Sequence, residues 1–167
     1  DQDIKKYGWT KVQKERGFDL ISDKEEWKVE YRGSSNQKNN ASIVWSCPIS
    51  AKSPLVIVTK LGIAIMDDIP VQALKIQHPN ELGNLVPFSI EPEEFMKRYS
   101  IYGNYVDRNH ILLTDDIQRI LLSYSGAKFI IVFFSDVLQI RLRDRNVKSQ
   151  IPPMVELGQN IISIIGL

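Results

Sequence analysis

Arg141, Arg143 and Arg145 occupy every second position of "VLQIRLRDR", and that spacing is the clearest prospect of chemistry in the chain. On an extended strand alternate side chains share a face. Three guanidiniums would then stand in a row about 6–7 Å apart beside Gln139, with Leu138, Ile140 and Leu142 pointing the other way. Such a row suits successive anionic groups, as in single-stranded nucleic acid or acidic lipid, provided the face is open and aromatics such as Tyr99 or Tyr102 lie nearby. It is also the pattern of a solvated sheet face, and basic residues on an edge strand deter edge-to-edge pairing. The solvated face is the favoured reading, because open strand faces ordinarily carry charge. Asp144 falls on the opposite face, so neutralisation would have to come from acids on a neighbouring strand.

The remaining reactive side chains are scattered. Asp67–Asp68 and Asp115–Asp116 are adjacent carboxylate pairs of the kind that hold Mg²⁺ or share acid–base work. Neighbouring residues on a strand diverge, however, and Asp115–Asp116 sits where a helix starts, so a structural role is favoured for both pairs. His78 and His110, the two histidines, have no acid or cysteine at ligand spacing. Zinc-ligand, P-loop, nucleophile-elbow and dinucleotide-binding patterns are absent. No metal and no cofactor is expected. Cys47, the single cysteine, rules out an intrachain disulfide, and within "SIVWSCPIS" it reads as a small buried hydrophobe.

The bulk properties narrow the field further. The 167 residues include 21 Lys+Arg against 20 Asp+Glu, for a net charge of +1. No global basic field draws the chain towards nucleic acid or acidic membrane. At 43% hydrophobic and 25% charged the composition is that of a globular protein with a real core. No apolar run reaches the length of a membrane span. The chain starts at Asp1 rather than Met, and an upstream segment, a membrane anchor among the options, is expected.

These residues need elements to position them. Trp9, Val12 and Arg16 at helical spacing, closed by Gly17, predict an amphipathic helix over about 3–16. Alternation in "WKVEYR" and "ASIVWSC" predicts two antiparallel strands joined by the polar loop 33–40, with Trp27 facing Trp45. "PLVIVTKLGIAIMDD" predicts two interior strands, and Asp68 to Pro87 a loop-rich crossing with one short strand near Val71–Ile76. Pro92 among Glu91, Glu93 and Glu94 marks a helix start, and "RYSIYG" a strand. Thr114 as N-cap, Asp115 and Asp116 in the first turn and the stripe Ile117, Ile120, Leu121 predict a helix closed by Gly126. Residues 128–146 are expected to form a hairpin turning at Ser135–Asp136. Met154, Leu157, Ile161 and Ile165 behind two prolines make a docking helix. The expected architecture is one α+β domain over 1–167, a mostly antiparallel sheet with N-terminal, central and C-terminal helices.

From Phe95 to Leu142 the chain resembles a bacterial domain of unknown function found in uncharacterised proteins. The resemblance rests on Phe95, Tyr99, Ile101, Tyr102, Leu112, Leu113 and Thr114, followed by the hairpin. Trp9, Gly17 and Tyr31–Gly33 repeat the layout of related proteins. It implies a domain often tethered to a membrane by a preceding segment, and it brings no catalytic residue. The expected function is therefore a non-enzymatic interaction or sensory domain of a membrane-associated bacterial protein, kept in a reducing or disulfide-free aqueous compartment. A protein is the expected partner and nucleic acid is disfavoured. The alternatives are a small carboxylate-based hydrolase, which needs Asp67, Asp68 or Glu residues from separate elements to converge in a pocket, or a binder of single-stranded nucleic acid or acidic lipid through Arg141, Arg143 and Arg145.

Overall fold

A computed structural model describes residues 8–33, 41–49, 53–62, 68–144 and 147–165. The strands are β1 Trp9–Lys14, β2 Gly17–Ser22, β3 Lys28–Arg32, β4 Ala41–Pro48, β5 Leu55–Thr59, β6 Val86–Phe88, β7 Tyr99–Gly103, β8 Phe129–Phe133 and β9 Val137–Asp144. The α-helices are α1 Ile69–Gln77, α2 Pro79–Leu82, α3 Glu93–Arg98, α4 Asp115–Ser123 and α5 Ile151–Ile164. Every described strand pairing is antiparallel, in one sheet of order β1-β2-β3-β4-β9-β8-β5-β7-β6. The fold class is α+β, as composition and patterning imply.

One face of the sheet is closed along its length. Leu20, Val29, Ile43, Trp45, Ile57, Tyr99, Ile101, Ile131, Leu138 and Ile140 point into it and pack under Phe95 of α3, Ile117 and Leu121 of α4, and Met154, Leu157 and Ile161 of α5. The other face is closed over only half its width. There Val71 and Leu74 of α1 and Leu82 of α2 cover Val56 and Val58 of β5, Tyr102 of β7 and Val132 of β8. This asymmetry explains why β8 and β9 differ in pattern. β8 is apolar at successive positions because both its faces are covered. β9 alternates because its second face emerges from under α1.

Several local signals hold. Thr114 caps α4, its side chain accepting from the Ile117 N–H, and β8 and β9 turn at Ser135–Asp136 with Phe134 N–H donating to the Val137 carbonyl at 2.9 Å. Helices form behind Pro92 and over 151–164.

Three expectations are corrected. The helix expected over 3–16 is, from Trp9 to Lys14, the edge strand β1, hairpinned onto β2 through Glu15 and Arg16; residues 1–7 lie outside the described residues. β1 is an edge strand exposed at most positions, so it lacks a period-two stripe, and Trp9 and Val12 imitate a helical one. Gly17 does not cap a helix. A β-carbon there would lie 1.9 Å from the Tyr31 carbonyl oxygen, so only glycine admits the close approach of β3. The short strand expected near Val71–Ile76 is helix α1, begun by Pro70 in its first turn, with Val71 and Leu74 buried one turn apart. The Trp27–Trp45 pair does not form across the strands: the register sets Val29 opposite Trp45, and Trp27 meets Trp9 edge-on at 5.6 Å. The loop over 34–40, the second run of "PLVIVTKLGIAIMDD" at 63–67, and Arg145 lie outside the described residues.

Candidate functional site

β9 sits between β4 and β8, in the middle of the sheet. Its basic row therefore guards no edge, and that reading of the arginines is corrected. Register places Val44 and Ile130 beside Arg141, and Ser42 beside Arg143. On this face the two flanking strands thus offer hydroxyls and aliphatic side chains and no acid. Acidic residues do occur two and three strands away, as Glu30 on β3 and Asp19 on β2, but they are already engaged. Arg32 reaches Asp19 at 2.8 Å and Glu30 at 3.6 Å, Lys28 reaches Glu30 at 3.2 Å, and Lys14 approaches Asp19 at 3.9 Å.

Arg141 is half-buried and lacks a carboxylate partner among the described residues. Its Nε–H donates to Gln139 Oε1 at 2.8 Å, and its guanidinium lies 5.9 Å from the centre of the Phe134 ring. Desolvation lowers its pKa from the ordinary guanidinium value, yet it stays protonated at any physiological pH. Arg143, exposed, stands next along the same face.

The α1 helix runs beside this row and makes a groove of about 470 Å³ with it. Pro70, Ala73, Leu74 and Gln77 form the helical wall, and Ser42, Val44, Ile130, Arg141 and Arg143 line the sheet side. Ile69 and Ile76 occupy the adjoining stripe of α1 and are 56% and 79% exposed. The groove is thus an apolar trough with a partly desolvated, uncompensated cation in its floor. An anion entering it would recover hydrogen bonds that the guanidinium lacks inside the protein.

Other candidates disperse. Tyr99 and Tyr102 are buried, and the Tyr99 hydroxyl donates to the Leu121 carbonyl at 2.6 Å, so neither ring is open to a stacking base. Burial pushes the Tyr99 pKa up to about 12. Asp68 adjoins the first turn of α1 and accepts from Gln72 Nε2 at 2.9 Å; Asp67 lies outside the described residues. Asp116 pairs with Arg119 on the surface of α4. Among the described residues no group of three His, Cys, Asp or Glu side chains is placed to hold a metal. His110 is buried between the Ser53 carbonyl, 2.9 Å from Nε2, and the Leu112 N–H, 3.1 Å from Nδ1; this pairing defines the neutral Nε2–H tautomer. Desolvation lowers its pKa. Cys47 is a buried free thiol whose pKa burial raises.

The pattern over 69–77 suits strand and loop, and so hides the helical wall. The signal present was Pro70 two positions after Asp68, followed by Val71 and Leu74 at helical spacing. No helix of the described residues is long and apolar enough to cross a membrane. Comparison with family models, with curated proteins and with solved structures finds no match to this chain.

Proposed function

We propose that the protein is a non-enzymatic interaction domain that takes an acidic, partly apolar protein segment into the groove between α1 and β9. The observation that carries this reading is Arg141, half-buried in an apolar trough with no acid facing it on either flanking strand. A partly desolvated guanidinium is costly to leave with unused donors, and a carboxylate suits its planar fork in two-point contact. The apolar wall of α1, extended by the exposed Ile69 and Ile76, favours aliphatic side chains beside that carboxylate. The resemblance of residues 95–142 to domains of membrane-associated bacterial proteins supplies the setting of this proposal.

The test is titration of the protein with a short peptide alternating Glu and Leu, beside a counterpart in which Gln replaces Glu. The Glu peptide should bind, more weakly as salt rises, and the Gln peptide at least tenfold less tightly. Arg141→Gln with Arg143→Gln should abolish the difference. Equal binding of the two peptides, or a difference that survives the double variant, defeats the proposal. A preference for single-stranded oligonucleotide over the Glu peptide would reassign the groove.

A further inference from the structure

At the end of the sheet where β5, β7 and β8 meet, three neighbouring strand ends each carry a cation. Thr59 pairs with Tyr99, and Val58 with Ile130. Thr59 Oγ1 also bonds the backbone of Phe129, donating to its carbonyl at 3.1 Å. One residue beyond each of these strand ends stand Lys60, Arg98 and Lys128. Lys60 N–H donates to the Arg98 carbonyl at 2.8 Å, and Lys128 Nζ to the Lys60 carbonyl at 2.9 Å. Lys97 adds a fourth cation. All four line a concavity of about 220 Å³ whose wall is the turn Tyr124–Ala127.

Strand ends are about 4.8 Å apart laterally, so these like charges repel unless something offsets them. Among the described residues no carboxylate lies within ion-pair distance of any of the four. What offsets them in part is helix carbonyls. Lys60 Nζ donates to the Met96 carbonyl in the last turn of α3. The Arg98 guanidinium donates to the carbonyls of Leu122 and Tyr124 at the end of α4. Each helix end carries about half an elementary charge, so two ends leave most of four positive charges unbalanced. Donors remain as well. Each lysine ammonium has three, of which the bonds above use one on Lys60, one on Lys128 and none on Lys97.

We propose that this pocket binds a phosphoryl group, as a phosphomonoester dianion gripped by Lys60, Lys97 and Lys128 while Arg98 holds the wall in place. A dianion with three acceptor oxygens matches ammonium donors brought to one concavity from α3 and two strand ends better than a single carboxylate does. The proposal is independent of the α1–β9 groove, which lies on different residues.

The probes are phenyl phosphate in solution and vesicles of phosphatidylcholine with or without phosphatidate. The variant is Lys97→Gln with Lys128→Gln, both exposed, with its thermal melt compared to that of the parent chain. Phenyl phosphate should bind saturably and at least tenfold more tightly than phenyl acetate. Its affinity should fall as pH drops through the second phosphate ionisation near about 6, and the double variant should lose at least tenfold with its melt unchanged. Binding to phosphatidate vesicles that the double variant loses would place the phosphoryl group on a lipid; binding to phenyl phosphate alone would make the ligand soluble. No saturable binding of either probe at low salt overturns the proposal. So does binding that the variant retains, or a variant that loses binding only because it unfolds while Lys97→Arg with Lys128→Arg fails to restore it.

Discussion

The two faces of the sheet are built from the same strands by alternate residues, and they have different fates. On the closed face Trp45, Tyr99, Ile131 and Ile140 disappear under α3, α4 and α5. The Tyr99 hydroxyl and the His110 ring find partners within the protein, while the indole N–H groups of Trp27 and Trp45 are buried without one among the described residues. On the half-closed face α1 and α2 cover β5, β7 and β8. The surface then opens over β9, β4, β3 and β2, where charges meet solvent. Between covered and open halves lies Arg141, half-buried, bonded to Gln139 and without a carboxylate partner among the described residues. The proposed recognition site lies at this boundary of a covered sheet face. A polar group buried deep inside must find its partner within the protein, and one in open water needs none.

The sharpest way to break the contrast is to damage the closed face. Trp45→Ala removes a fully buried ring and should cost about 3–5 kcal/mol in denaturant unfolding. Gly158 of α5 lies against the same ring, and a β-carbon there would fall 2.3 Å from Trp45 Cε2. Gly158→Ala should therefore destabilise by about 1–3 kcal/mol, although alanine is the better helix former by about 1 kcal/mol. A gain in stability would show that α5 is not seated on Trp45.

Titration gives a smaller effect on the same face. His110 is neutral in the fold and its pKa is lowered by burial, so below the unfolded value of about 6.5 the unfolded chain binds a proton that the native chain refuses. This contribution to stability is fully present above that pH. It declines on acidification towards the depressed folded value, by at most about 1.4 kcal/mol per pH unit. His110→Asn should be less stable at neutral pH and should lack this step below about pH 6.5 in chemical denaturation. An unaltered pH profile would mean that His110 titrates freely.

The open half should respond least. Arg143→Gln is expected to change stability by no more than about 0.5 kcal/mol. Arg141→Met, which fills the same trough without a desolvated charge, should be neutral or stabilising. A loss above about 1 kcal/mol on Arg141→Met would assign that guanidinium to holding the fold rather than to a ligand.

Strong local signals were legible in the chain. Thr114 with Asp115 and Asp116 announced α4 because capping chemistry is settled within one helical turn. The hairpin of β8 and β9 was legible because its turn and register follow from adjacent residues. β1 imitates a helix because an edge strand exposed at most positions leaves too few buried residues to show a period. α1 imitates a strand because only Val71 and Leu74 mark its inner face, and two residues suit a strand as readily as a helix. Arg141 and Arg143 stood out as a row, but the α1 wall that turns them into a groove did not. The cluster of Lys60, Lys97, Arg98 and Lys128 gave no sign at all, since its members come from three separate segments.

The sequence by itself determined the class of fold, the positions of the capped helices and the alternation that splits β9 into an apolar and a basic side, because each depends on contacts between near neighbours in the chain. Tertiary structure decided that β9 is central, that α1 ends its cover beside Arg141, and that three strand ends bring four cations together. Those outcomes depend on strand order and on which helix lies over which face, where residues distant in the chain become neighbours through burial that no local pattern encodes.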